Sequence, residues 1–214
     1  MPATADPPLS ARVRADTRAD HEEAQSSGFL DALAAGELPR AAYADLTAQH
    51  WFIYAELERA AEAMAGNPAA RPFVELGLTR LPSLVADLEY LVGDGWRDGI
   101  AALPAAERYV RRLQNVADRG APAFVAHHYT RYMGDMSGGQ HLGPAIARAY
   151  RLNGDGHRFF VFAGIDASAG RNRYRELLDR VAWSAGERDA FVAEVSRAYR
   201  LNIAVLRELK QRWA

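Results

Sequence analysis

The sequence predicts an all-α protein, and three observations carry that prediction. Apolar residues recur at three- and four-residue spacing along nearly the whole chain. Strand-type alternation is almost absent, and proline or glycine stands at most breaks between periodic segments. At 214 residues and 49% hydrophobic content, the chain can build one sizeable core. With no tandem repeat, low-complexity tract or linker, one domain over residues 1–214 is expected, residues 1–8 forming a flexible lead-in.

After Asp6-Pro7-Pro8, the spacing predicts a helix from about Ser10 to Ser27, with Gly28 near its end. Pro39, a favoured first-turn residue, opens a second helix through AAYADLTAQHWFIYAELERAAEAMA to Gly66. RPFVELGLTRLPSLVADLEYLVG is interrupted by Gly77 and Pro82 and predicts two shorter pieces. Pro104 opens AAERYVRRLQNVADR, which Gly120 closes. A glycine-rich helix starts near Pro122 and fades at RLNGDG, and FFVFAG reads as a short strand or a buried connector. Another helix follows over roughly 166–183. The last begins at Ser184-Ala-Gly-Glu187, a capping-box pattern, and runs nearly to Ala214.

Composition narrows the function classes. A net charge of −1 gives no reason to expect nucleic acid or an anionic membrane as partner. The absence of cysteine excludes disulfides, thiolate-ligated haem, iron–sulfur clusters and cysteine zinc sites. No apolar run approaches the 18 or more residues of a membrane span, and the N-terminus lacks the apolar region of a signal peptide. A cytoplasmic protein is expected.

The stretch YTRYMGDMSGGQHLG, residues 129–143, raises the functional question. Tyr129, Tyr132, Met133 and Met136 have helical spacing, yet Gly134, Gly138, Gly139 and Gly143 fall among them. An interior glycine weakens a helix by about 0.8–1 kcal/mol relative to alanine, so the first three together cost roughly 3 kcal/mol. Close helix packing is the simplest explanation. A phosphate-cradling loop lacks support, because there is no preceding strand and no GxGxxG or Walker-type glycine loop. The third explanation is a flat ligand lying against the backbone, where any Cβ would collide with it. The helix would then bend, and Gly143-Pro144 keeps regular geometry from passing unaltered into the next turn. Asp135, bracketed by glycines, favours this third explanation as a carboxylate within reach of a small ligand or water, although an Arg131–Asp135 surface pair at i,i+4 competes with it. An ordinary aspartate, with a pKa of about 3.9, is ionised at neutral pH.

A second constellation lies in the first helix. Leu9, Val13, Thr17, His21, Ala24 and Gly28 share one face, placing His21 on the inward side among small neighbours. A lone histidine there is either a core residue or a ligand. Arg14 and Arg18 flank the same side and can answer carboxylates of something held by His21. Neither HExxH nor the Glu-x-x-His of di-iron bundles occurs, and adjacent His127 and His128 point apart. One histidine and a flat glycine wall suggest a five-coordinate haem with an open distal side.

YTRYMGDMSGGQ closely resembles the signature that the haem oxygenase family carries on the helix over its haem. TRADHEEAQSSGFLDALAAGEL resembles the family's proximal-histidine helix, and HWFIYAELERA, ERYVRRLQNV and AYRLNIAVLREL resemble its later helices. The similarity spans almost the whole chain. It implies a soluble multi-helix bundle holding haem b between a proximal N-terminal helix and a kinked, glycine-rich distal helix. Haem would be both substrate and cofactor, opened by O2 and external electrons to biliverdin, carbon monoxide and ferrous iron.

By that resemblance His21 is the iron ligand, Gly134, Gly138 and Gly139 form the distal wall, and Asp135 holds the catalytic water network. Tyr129 and Arg131 match haem-contacting positions, and Arg14, Arg18, Arg171 and Arg175 match basic positions directed at the propionates. Tyr199 and Asn202 match an aromatic and an asparagine near the pocket. Electrons would come from a ferredoxin or reductase to a monomer, since no flavin or nicotinamide motif is present. The alternative is a non-catalytic haem-binding or haem-trafficking protein on the same fold. Two departures stand out. HEEAQ places Gln25 where the family usually has glutamate near the ligand's second nitrogen, so a hydrogen bond remains available without a negative charge. The propionate partners are all arginine, which favours bidentate geometry.

Overall fold

A computed structural model describes residues 7–26 and 28–213, apart from the side chain of Gln25. Most of the expected lead-in over residues 1–8 therefore lies outside the described residues. Among those described are twelve α-helices, two 3-10 turns and no strand, as the periodicity predicts. No helix among them is long and apolar enough to cross a membrane.

The predicted first helix is divided. Helices α1 (Leu9–Asp16) and α2 (Arg18–Gln25) meet at Thr17, whose backbone leaves helical values at φ −106° and ψ 14°. Its hydroxyl donates to the Val13 carbonyl at 2.7 Å, the local side-chain bond with which threonine competes against regular helix. Helix α3 (Phe29–Ala35) was not predicted. It lies between Gly28 and Gly36, both left-handed at φ 75° and 72°, and buries Phe29 and Leu33. Helix α4 (Arg40–Met64) begins after Pro39 as expected. Helices α5 (Arg71–Val74) and α6 (Leu81–Val92) are the two short pieces, with Pro82 starting α6 instead of interrupting it. The single turn α7 (Trp96–Gly99) leads to α8 (Pro104–Gln114), and a 3-10 turn precedes Gly120.

Helices α9 (Ala121–Ser137) and α10 (Gly139–Ala149) form the glycine-rich segment. The FFVFAG segment is a connector built on a 3-10 turn at Arg158–Phe160, not a strand. Its backbone is satisfied by buried charges, as an irregular segment in the interior requires. Asp87 accepts from the amides of Arg158 and Phe159 at 2.8 Å each. Arg80 donates to the carbonyls of Phe159 and Val161 at 3.3 and 2.8 Å. Helix α11 (Ala167–Arg180) precedes α12 (Ala185–Trp213), whose start carries the predicted reciprocal cap. Ser184 N donates to Glu187 at 2.8 Å, and Glu187 N donates to Ser184 Oγ at 3.3 Å.

The long helix α12 organises the rest. It packs along α9 and also against α2 and α8, while α4 packs on α6 and α8. Large aromatic side chains at Tyr43, Tyr54, Tyr109, Phe124, Tyr132, Tyr174 and Phe191 fill the space between.

Candidate functional site

Helices α2 and α9 both pack on α12 more extensively than on each other, so they form two walls over a shared floor. Along α1 the line Leu9, Val13, Thr17 is buried, but His21, which continues it on α2, is exposed. Its ring meets Tyr199 of α12 edge-on, with centroids 5.9 Å apart and planes at 82°. One turn later on α12, Asn202 accepts a hydrogen bond from Arg131 of α9. The floor thus touches both walls within a few residues.

The opposite wall carries the glycines, and they divide into two kinds. A Cβ on exposed Gly134 would meet nothing within 4 Å, and one on exposed Gly138 would meet only the Gly134 carbonyl at 3.8 Å. These two leave a strip of bare backbone open to solvent. Gly139 and Gly143 are buried and turn toward the connector, where a Cβ would approach Phe160 at 3.4 Å and 2.6 Å. Gly139 was expected in the distal wall with Gly134 and Gly138, and its Cβ direction places it in helix packing instead. The helix boundary falls at Gly138, five residues before Gly143-Pro144, and Pro144 lies inside α10. Gly138 keeps helical dihedrals (φ −63°, ψ −35°), so the discontinuity is slight. Gln140 spans it, donating to the carbonyls of Asp135 at 3.4 Å and Phe160 at 3.1 Å.

Behind the bare strip lies a buried polar network. Asp135 is 8% exposed and accepts a hydrogen bond from the hydroxyl of fully buried Tyr54. Arg131 donates to the same hydroxyl at 3.3 Å, and its guanidinium lies 4.9 Å from the Tyr54 ring centroid. Burial pushes the Asp135 carboxyl up to about 6, against the opposing pull of Arg131 and the Tyr54 bond. Two expectations change here. Asp135 is a buried carboxyl with a raised pKa instead of an ordinary one, and Arg131 is a buried link between α4, α9 and α12 instead of a surface partner. Sequence reasoning missed Tyr54. It had no local signal beyond lying on the buried face of α4, 81 residues from its partner.

The remaining predicted residues are spread around the cleft. Tyr129 packs edge-on against Tyr174 and Phe191, with centroids 5.7 and 6.0 Å away. Burial raises its hydroxyl pKa, and the charges of Arg175 and Arg14 oppose that rise. Arg175 is exposed and donates to Asn172 at 2.9 Å. Arg18 is exposed and pairs with Glu22 at 3.6 Å. Arg171 points elsewhere than the open rim, donating to the Met136 carbonyl near the end of α9. The side chain of Gln25 lies outside the described residues.

This architecture has known counterparts. A family model described as "Heme oxygenase" matches residues 7–208. Heme oxygenase 1 of Nostoc sp. is 33% identical over 204 residues, covering 94% of this chain and 86% of that protein. Heme oxygenase 1 of Gallus gallus is 33% identical over 207 residues, covering 95% and 70% respectively. Among solved structures, heme oxygenase-1 from the cyanobacterium Synechocystis sp. in complex with heme has a TM-score of 0.90 at 29% identity, covering 96% of this chain and 94% of that one. The heme oxygenase from Leptospira interrogans has a TM-score of 0.89 at 28% identity, covering 94% and 100%. With a family match of this extent and relatives a third identical along nearly the full length, this chain belongs to the haem oxygenase family.

Proposed function

We propose that the chain degrades haem b, using O2 and electrons from a separate ferredoxin or reductase, to biliverdin, carbon monoxide and ferrous iron. In this proposal it acts as a single cytoplasmic, monomeric domain over residues 1–214. The observation that carries the proposal is the bare strip at Gly134 and Gly138 with the buried Asp135–Tyr54 pair directly behind it. Packing alone does not call for glycine where a Cβ would touch nothing. A flat macrocycle does, because it can then lie against the backbone of α9.

Haem, when bound, supplies the iron that holds and activates dioxygen. His21 offers the iron an imidazole nitrogen from the α2 side, and the edge of Tyr199 limits its rotation. By the family resemblance Gln25, four residues further on, would accept from the other ring nitrogen. Arg14 and Arg175, whose charges both act on Tyr129, answer the propionate carboxylates, with Arg18 beyond the Thr17 break on α2. Arg171 and Asn202 act at one remove, the first holding the end of α9 and the second anchoring Arg131.

Asp135 is the proton site. Tyr54 engages its Oδ2, leaving Oδ1 to anchor a water on the glycine side. A carboxyl near 6 can give up and regain a proton at neutral pH, which an ordinary aspartate does poorly. Mixing the purified protein with hemin and then reductant tests the whole proposal. The expected result is a Soret complex that bleaches to biliverdin. A stable complex with no ring opening would make the protein a haem carrier, and no complex at all would leave the glycines as packing devices.

A further inference from the structure

The geometry points to His50 as a further member of the distal network, a positioning residue that holds a water against the Tyr54–Asp135 pair. His50 lies on α4 exactly one turn before Tyr54, on the same face. Along that face Tyr43, Leu46, Thr47, Tyr54, Leu57 and Glu58 are all buried, and His50 alone is partly open. Its ring centroid is 6.2 Å from that of Tyr54 and 4.9 Å from that of Phe159 in the connector.

Hydrogen bonding distinguishes His50 from the two fully buried histidines, His127 and His128. His127 sits between Tyr109 at 3.4 Å and Glu194 at 2.9 Å, and His128 meets Tyr174 at 3.0 Å. Among the described residues, His50 has no protein hydrogen-bond partner, and neither ring nitrogen is sealed from water. The groups around it are the Tyr54 ring on α4, and Arg131 and, through Tyr54, Asp135 on α9; the connector presents the apolar ring of Phe159. Burial, helped by the charge of Arg131, keeps the imidazole neutral far below its usual range. A neutral imidazole has one donor and one acceptor nitrogen, and here both must be answered by water. A leucine would fill the same space against Phe159 and hold no water. Histidine fixes one beside the hydroxyl that orients Asp135.

This inference rests on Asp135 and Tyr54 being the proton site, so its test includes Asp135→Asn beside the His50 variants. The readout is the pH at which the visible spectrum of the ferric haem complex converts from its acid to its alkaline form. His50→Leu is expected to move that midpoint by about half a unit or more, the scale of one lost hydrogen bond. His50→Gln, whose neutral amide keeps a donor and an acceptor, is expected to stay with the wild type. A packing role predicts the reverse order, because leucine suits the contact with Phe159 better than glutamine. If Asp135→Asn shifts the midpoint and His50→Leu does not, the role of His50 is overturned while the proton site stands. If neither shifts it, both fall. Should a variant fail to fold, proton–nitrogen correlation spectra of the haem-free wild type decide. A neutral His50 ring exchanging with water supports the inference, and a cationic ring at neutral pH or a ring N–H bonded to a protein group overturns it.

Discussion

The Asp135 carboxyl stands near 6 in the folded protein, against about 3.9 in an unfolded chain. Because the folded-state value is raised, the folded protein binds this proton more tightly than the unfolded chain does. The stability linked to the group is therefore fully present below about pH 4 and is lost as pH rises through about 6. Two pKa units at about 1.36 kcal/mol each give roughly 3 kcal/mol as the cost of holding the carboxylate ionised at pH 7. At 8% exposure, little solvent screening reduces that figure. An effective interior dielectric well above the dry-protein value does reduce it, to a working range of about 1–3 kcal/mol. Asparagine has the same shape, carries no charge, and keeps a carbonyl oxygen to accept from Tyr54. Haem-free Asp135→Asn should therefore be more stable than the wild type at pH 7, by about 2–10 °C in Tm for a chain of this length. The gain should close toward pH 4. Thermal unfolding followed by circular dichroism across pH 4 to 8 measures both. The same variant should still bind haem through His21 but form biliverdin at least about 10²-fold more slowly. A variant no more stable at pH 7, or a gain that persists unchanged at pH 4, would show that burial does not hold the carboxyl up.

Four further variants test the site and its surroundings. His21→Ala should lose the histidine-type haem spectrum and recover it with added imidazole; an unchanged spectrum would remove His21 as the ligand. Gly134→Ala should stabilise the haem-free fold by up to about 1 kcal/mol through helix propensity, since its Cβ meets nothing within 4 Å, while lowering haem affinity and turnover. Gly143→Ala should instead destabilise the fold by about 1–3 kcal/mol, because its Cβ would lie 2.6 Å from Phe160. Denaturant melts separate these two cases, and native haem affinity in Gly134→Ala would dismiss the bare strip as a ligand wall. Removing Arg14 and Arg175 together should weaken haem binding or change the biliverdin isomers formed, and identical affinity and isomers would make them surface residues.

Local chemistry made most helices legible. Pro39, Pro104 and the Ser184–Glu187 cap each act within one turn of chain, so spacing and residue type were enough to place them. The distal string stood out for a similar reason, since its glycine and carboxylate spacing lies within one short stretch of chain, and the resemblance it carries pointed to His21. The break at Thr17 was not legible, because a threonine that bonds back to the preceding turn leaves the apolar periodicity unbroken, and the short α3 has only seven residues in which to show a repeat. Tertiary structure alone divided the glycines, with Phe160 from a distant connector closing over Gly139 and Gly143 while Gly134 and Gly138 stay open. It also brought Tyr54 to Asp135, drew Arg131 inward, and set His50 against Tyr54 with no hydrogen-bond partner among the described residues. A carboxylate's proton affinity depends on the water removed from around it and the charges brought near it. At Asp135 both come from residues far away in the chain, so only the folded packing could decide it.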